Sequence, residues 1–163
     1  MNSPTDTMEQ FLELFHPLPG NSYLLVTSKI DDVASALHAK TKAVDGNFSI
    51  ALYGEGSYEA AKIEHIDSLS KPFRALPRDN DRVIFYDIFT KHTAPQILLS
   101  LAYRTLANAA EVVIVEPKGA LEASKMYELL EQKEFRAPNI IEDVFNEHDI
   151  FIAKKMHMWG NGL

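Results

Sequence analysis

Apolar positions recur along this chain in two rhythms, one helical and one of short continuous runs. Met8, Phe11, Leu12 and Phe15 repeat at helical spacing and predict a short amphipathic helix that stops before Pro17 and Pro19 and packs on the main core. Tyr23 to Val26 read as a buried strand, followed by a helix with Ile30, Val33, Ala34 and Leu37 on one face and, after the Asp45-Gly46 turn, a second strand in NFSIALYG. These three elements make a βαβ unit. SYEAAKIEHID then predicts at most two helical turns around Ala60 and Ala61 and a short strand near Ile63 to Ile66.

The second half repeats the alternation. DRVIFYDIF is an apolar run of the kind found in strands covered on both faces, and after Thr93-Ala94-Pro95 a helix turns Ile97, Leu98, Leu101, Ala102 and Leu106 inward. EVVIVEP is a fifth strand stopped by Pro117 and Gly119, and Leu121, Met126, Leu129 and Leu130 mark the next helix. NIIEDVF and DIFIAKKM are separated only by NEH, too short for a crossover, so they predict an antiparallel hairpin. The sum is a three-layer, Rossmann-like α/β domain with a mostly parallel sheet and one reversed edge.

Composition narrows this picture. With 163 residues, 46% hydrophobic, the chain has material for one core, so residues 1–163 are expected to form a single domain with the helix of residues 1–20 packed on it. A net charge of -7, with Lys71, Arg74, Arg78 and Arg82 interleaved with Asp79 and Asp81, argues against nucleic acid and anionic membranes as partners. The absence of cysteine excludes disulfides, thiolate metal sites and thiol catalysis, and the histidines show no spacing of a metal pair. The first twenty residues lack a signal-peptide or membrane-insertion pattern, so a cytoplasmic protein is the expectation.

The stretch ALPRDNDRVIFYDIFTKHTAPQILLSLAYRTLANAAEVVIVEP, Ala75 to Pro117, resembles the second half of class I S-adenosylmethionine-dependent methyltransferases. An LP segment leads to an aspartate-bearing strand, a helix, a tight turn and a strand ending in Glu-Pro, and the terminal hairpin is similar too. The resemblance in element order spans nearly the whole chain and implies a seven-stranded sheet whose last two strands form the hairpin. It implies S-adenosylmethionine as cofactor, held at Thr27, Ser28, Glu55, Asp67, Ser68 and Asp87. Glu55 falls where the family accepts hydrogen bonds from the ribose hydroxyls, Asp67 and Ser68 where it meets the adenine edge, and Asp87 beside the reactive methyl. Asp87 and His92 are the candidates to remove a proton from the methyl acceptor, a small molecule or a protein side chain. The chain departs from the family at Thr27-Ser28-Lys29, where a glycine-rich loop is usual, at Arg82, where an aspartate is usual, and at Ala107 to Ala110, which replace a proline-glycine turn.

Most of these residues also have an ordinary structural reading. Ser28 with Asp31 fits a helix-capping box, and Asp31 and Asp32 at a helix start repel phosphate, which disfavours nucleotide cofactors bound through phosphates there. Glu55 between two glycines is also a solvated turn, Asp67 also a turn cap, Asp87 evenly a crevice residue or a structural one, and His92 also a polar loop residue. Trp159 in the tail KKMHMWGNGL either docks on a partner copy, in a homodimer, or anchors a chain end. Three functions follow: a methyltransferase, a non-catalytic methyltransferase-fold module for binding or subunit contact, and another doubly wound α/β domain.

Overall fold

The computed structural model describes residues 4–59 and 61–156. Their strands form one sheet in the order β3-β2-β1-β4-β5-β7-β6. The strands are β1 Ser22–Thr27, β2 Asn47–Tyr53, β3 Lys62–Ile66, β4 Asn80–Tyr86, β5 Leu106–Pro117, β6 Arg136–Ile141 and β7 His148–Lys154. All neighbouring pairs from β3 to β5 are parallel, while β7 runs antiparallel to both β5 and β6.

Alternate strand residues feed two cores. Leu24, Val26, Val83, Phe85, Val112 and Ile114 pack under helices α3 (Pro95–Thr105) and α4 (Ala123–Gln132). Tyr23, Leu25, Ile84, Tyr86, Val113 and Val115 pack under α1 (Pro4–Leu12) and α2 (Asp32–Lys42). Phe11 secures α1, stacking on Phe145 at 4.7 Å between ring centres and meeting Phe15 edge-on at 5.2 Å. The expected three-layer, seven-stranded architecture with its C-terminal hairpin is therefore present.

Several details differ from the sequence reading. The reversed strand is not the edge: β7, with Ile150, Phe151 and Ala153 buried, takes the inner position, and β6, whose side chains are half-buried or exposed, takes the outer one. Its turn to β7 spans residues 142–147, longer than NEH. Between β2 and β3 the described residues form a loop without helix; Ala60 lies outside them, and Tyr58 holds the loop to α2 through a 2.9 Å hydrogen bond with His38 Nδ1. Ala107 to Ala110 belong to β5, with Ala109 at φ 68° where the register shifts, because Lys155 N donates to Ala110 O and Ala109 N to Lys155 O and extend the pairing. In α3 it is Leu99 that turns inward beside Leu98 and Ala102, while Ile97 is 45% exposed. The tail with His157 and Trp159 lies outside the described residues.

Candidate functional site

In a doubly wound sheet ligands sit outside the carboxyl ends of the strands where the strand order reverses, here between β1 and β4. The turn leaving β1 is self-bonded. Buried Thr27 donates its hydroxyl to Lys29 O at 2.9 Å and accepts from Lys29 N at 3.2 Å. Side-chain hydrogen bonds thus shape a turn that glycines shape in the resembling family. α2 then starts one turn later than a Ser28 cap requires: Asp31 itself is the N-cap, its Oδ1 accepting from Val33 N at 2.9 Å.

Ser28 is thereby released for another contact. Its hydroxyl donates to Asp87 O at 2.6 Å, tying the end of β1 to the end of β4. A hydroxyl has one proton, so its 3.3 Å approach to Asp87 Oδ2 is secondary. Lys91 Nζ completes the junction, donating to Asp87 Oδ2 at 2.8 Å and to Ser28 Oγ at 3.2 Å, and Lys29 Nζ lies 3.8 Å from the same carboxylate oxygen. The Asp87 side chain is only 15% exposed and is bracketed by two ammonium groups.

Asp87 also follows the end of β4 at Tyr86, three residues earlier than the apolar run DRVIFYDIF predicts. Its backbone is left-handed, φ 55°, a conformation that aspartate tolerates better than most residues. Ile88 and Phe89 stay buried but leave the ladder, and their amides donate to the Glu116 carboxylate at 2.9 and 3.0 Å, with Thr90 Oγ1 adding 2.9 Å. Glu116 is wholly buried, and burial raises its pKa above the usual carboxylate value despite these donors. Sequence reasoning missed this role. The available signal was a glutamate closing the apolar strand EVVIVEP, a position that demands partners.

His92 is 6% exposed and both ring nitrogens face backbone. Nδ1 accepts from Ala94 N at 2.9 Å, which puts the proton on Nε2, 3.1 Å from Lys71 O. Tyr53 O–H donates to the same carbonyl at 2.7 Å, and its ring meets His92 edge-on at 5.4 Å. With Thr93 N bonded to Leu69 O at 3.0 Å and Phe73 buried against Phe85, residues 69–73 are strapped across the ends of β2 and β4.

Glu55 and Asp67 lie against that strap, whose Lys71 and Pro72 line a cavity with them. Glu55 and Asp67 share a cavity of roughly 480 Å³ with Gly54, Glu64, His65 and Lys71 at the ends of β2 and β3. Asp67 Oδ1 accepts from Lys71 Nζ at 2.7 Å, which lowers its pKa. Ser68 Oγ meets Ser70 Oγ at 2.8 Å and accepts from Ser70 N at 3.2 Å, capping the turn that follows. Of the residues read from the sequence, the fold groups Ser28 with Asp87 and Glu55 with Asp67; His92 belongs to the strap. Arg82 and Asp81 sit at the opposite end of β4, where Arg82 pairs with Glu111 at 2.8 Å and Asp81 Oδ2 accepts from Ser22 N at 2.8 Å.

No family model matches the sequence, and no curated protein matches it. Solved structures do. A carbon methyltransferase, CurJ, superposes with a TM-score of 0.70 at 11% identity over 93% of this chain and 54% of its own. A SAM-dependent methyltransferase from Aquifex aeolicus gives 0.69 at 14% identity over 96% of this chain and all of its own. A Haemonchus contortus phosphoethanolamine N-methyltransferase, in complex with phosphomonomethylethanolamine and S-adenosylhomocysteine, gives 0.68 at 10% identity over 94% of this chain and 53% of its own. The chain thus spans about half the length of the first and third and the full length of the second. The fold is that of class I S-adenosylmethionine-dependent methyltransferases. No helix among the described residues is long and apolar enough to cross a membrane.

Proposed function

We propose that this chain is a methyltransferase-fold module that acts by binding or subunit contact and does not transfer methyl groups. The observation carrying this reading is the junction of Ser28, Asp87 and Lys91, which fastens β1 to β4 where the fold's cofactor crevice lies. The positive charge at the junction weighs against S-adenosylmethionine. Its sulfonium and ammonium groups are cations, and the Asp87 carboxylate already faces Lys29 and Lys91. Asp87 is held in ion pairs and His92 in backbone hydrogen bonds, so neither is set up to accept a proton from a methyl acceptor. Such a module contacts a protein partner or another copy of itself.

A second reading is a methyltransferase acting on a small molecule or protein side chain. It is favoured by the fold of the neighbours and by the cavity shared by Glu55 and Asp67, with Ser68 beside it. In that reading Thr27 and Ser28 open to line the cofactor, Glu55 takes the ribose, Asp67 and Ser68 the adenine, and Asp87 or His92 the proton. Calorimetric titration with S-adenosylmethionine and S-adenosylhomocysteine separates the two. The module reading expects no saturable heat at millimolar ligand, and saturable binding of either compound overturns it.

A further inference from the structure

The strap across the ends of β2 and β4 is fastened through a side chain whose protonation can change. His92, in the turn between β4 and α3, is buried, and both ring nitrogens are committed to backbone groups: Nδ1 accepts from Ala94 N at 2.9 Å and Nε2 donates to Lys71 O at 3.1 Å. That pair of bonds exists in one protonation state only. A neutral imidazole has one accepting and one donating nitrogen, whereas an imidazolium donates from both. A proton added at Nδ1 would point at the Ala94 N–H, so two donors would face each other and the ring would have to leave.

The elements packed around the ring offer such a cation no anion. Ala94 is the N-cap of α3, so the positive end of an 11-residue helix lies at Nδ1, and no acidic residue stands in the first turn. From the strap comes Lys71, whose ammonium turns to Asp67 at 2.7 Å, and from the turn itself Lys91, whose ammonium lies on Asp87 at 2.8 Å. From β2 comes Tyr53, edge-on to the ring at 5.4 Å. Burial, and after it Glu64 on β3, raises the Tyr53 pKa, so the phenol stays a neutral donor to Lys71 O. Glu64 Oε1 accepts from Arg74 N at 3.0 Å, and Glu116 on β5 is taken up by Ile88, Phe89 and Thr90.

We propose that His92 is an acid-sensitive latch: neutral, it holds residues 69–72 against the ends of β2 and β4, and protonated, it leaves its place and releases them. Phe73, buried against Phe85, is the fixed end of the released segment. The Thr93 N to Leu69 O bond of 3.0 Å opens with the latch, since it ties the same two segments. Lys71 and Pro72 line the cavity of Glu55 and Asp67, so release removes part of that cavity's wall. The inference stands apart from the binding-module reading, because it is read on the chain without any ligand.

Amide hydrogen exchange of the full chain, divided by the intrinsic rate at each pH, is followed from about pH 8 to about pH 5, a range that spans the ordinary imidazole value of about 6.5. Protection at Thr93 and Ala94 is expected to fall at least about tenfold on acidification, while Leu25 in β1 and Phe85 in β4 keep theirs. His92→Asn supplies an acceptor in place of Nδ1 and takes up no proton, so Ala94 protection in it stays constant with pH. His65→Gln removes the imidazole that lines the same cavity, bonded to Gly56 O at 2.8 Å, and leaves the wild-type fall intact. Ring nitrogen shifts of the wild type at about pH 8 are expected to show the His92 proton on Nε2. The wild-type curve and these shifts decide even where His92→Asn does not fold, and a role limited to packing gives no pH dependence. Constant protection of Thr93 and Ala94 across the range, the same fall in His92→Asn, a fall shared by Leu25 and Phe85, or a proton on Nδ1 at about pH 8 overturns the proposal.

Discussion

The carboxyl ends of the parallel strands hold two unlike environments side by side. Between β1 and β4 the polar groups are saturated from within: Ser28 on Asp87, Lys91 on both, Glu116 on the turn behind them. Between β2 and β3 they line an open cavity, and the Asp67 side chain is 82% exposed with the exposed Lys71 as its ion-pair partner. The contrast teaches that a fold can keep its ligand-facing edge while internal donors take over part of it, since buried polar groups must be satisfied by something.

Perturbing the saturated side first gives the largest expected effect. Glu116→Ala removes the acceptor for the buried Ile88 and Phe89 amides and is expected to cost about 3 kcal/mol in chemical denaturation. The same group sets a pH signature. Because burial raises its folded pKa, the native state holds the proton more tightly than the unfolded state does. Its contribution is complete below the ordinary glutamate pKa and is lost as pH rises through the raised value. Glu116→Gln therefore flattens this part of the stability-against-pH curve, and an unchanged slope contradicts the assignment.

His92→Ala comes next. It breaks the bonds to Lys71 O and Ala94 N and opens space beside Tyr53, an expected loss of about 2 kcal/mol. Hydrogen exchange around Lys71 and Thr93 should rise with it, whereas an unaltered strap counts against the structural role. Ser28→Ala removes one hydrogen bond between β1 and β4, for about 1 kcal/mol. Glu55→Gln and Asp67→Asn, in the cavity between β2 and β3, should leave the unfolding midpoint where it is. A drop comparable to that of His92→Ala erases the contrast between the two sides.

How much of this was legible in the chain depends on the range of the interaction. Strands such as YLLV and VVIV and the faces of α2 and α4 follow from local apolar patterns, and NEH made the hairpin necessary because no crossover fits. The end of β4 was not legible, because Ile88 and Phe89 read as strand until Glu116, far along the chain, is known to take their amides. Ser28 was misassigned as a helix cap for a similar reason. Both roles suit a serine, and only the packing of β1 beside β4 decides for Asp87. Ile97 looked inward on a helical wheel, yet the orientation of α3 gives its place to Leu99. Grouping Glu55 with Asp67 depended on β3 lying beside β2, which the sequence order allows and the sheet realises.

The reading proposed for this chain requires that the Ser28–Asp87–Lys91 junction close the crevice between β1 and β4. Amide shifts recorded during titration with S-adenosylhomocysteine test it at the residues concerned. The closed junction predicts that the amides of Thr27, Ser28, Asp87 and Lys91 stay unmoved at millimolar ligand. Saturable shifts at those amides together with Glu55 would contradict it and restore the full cofactor site.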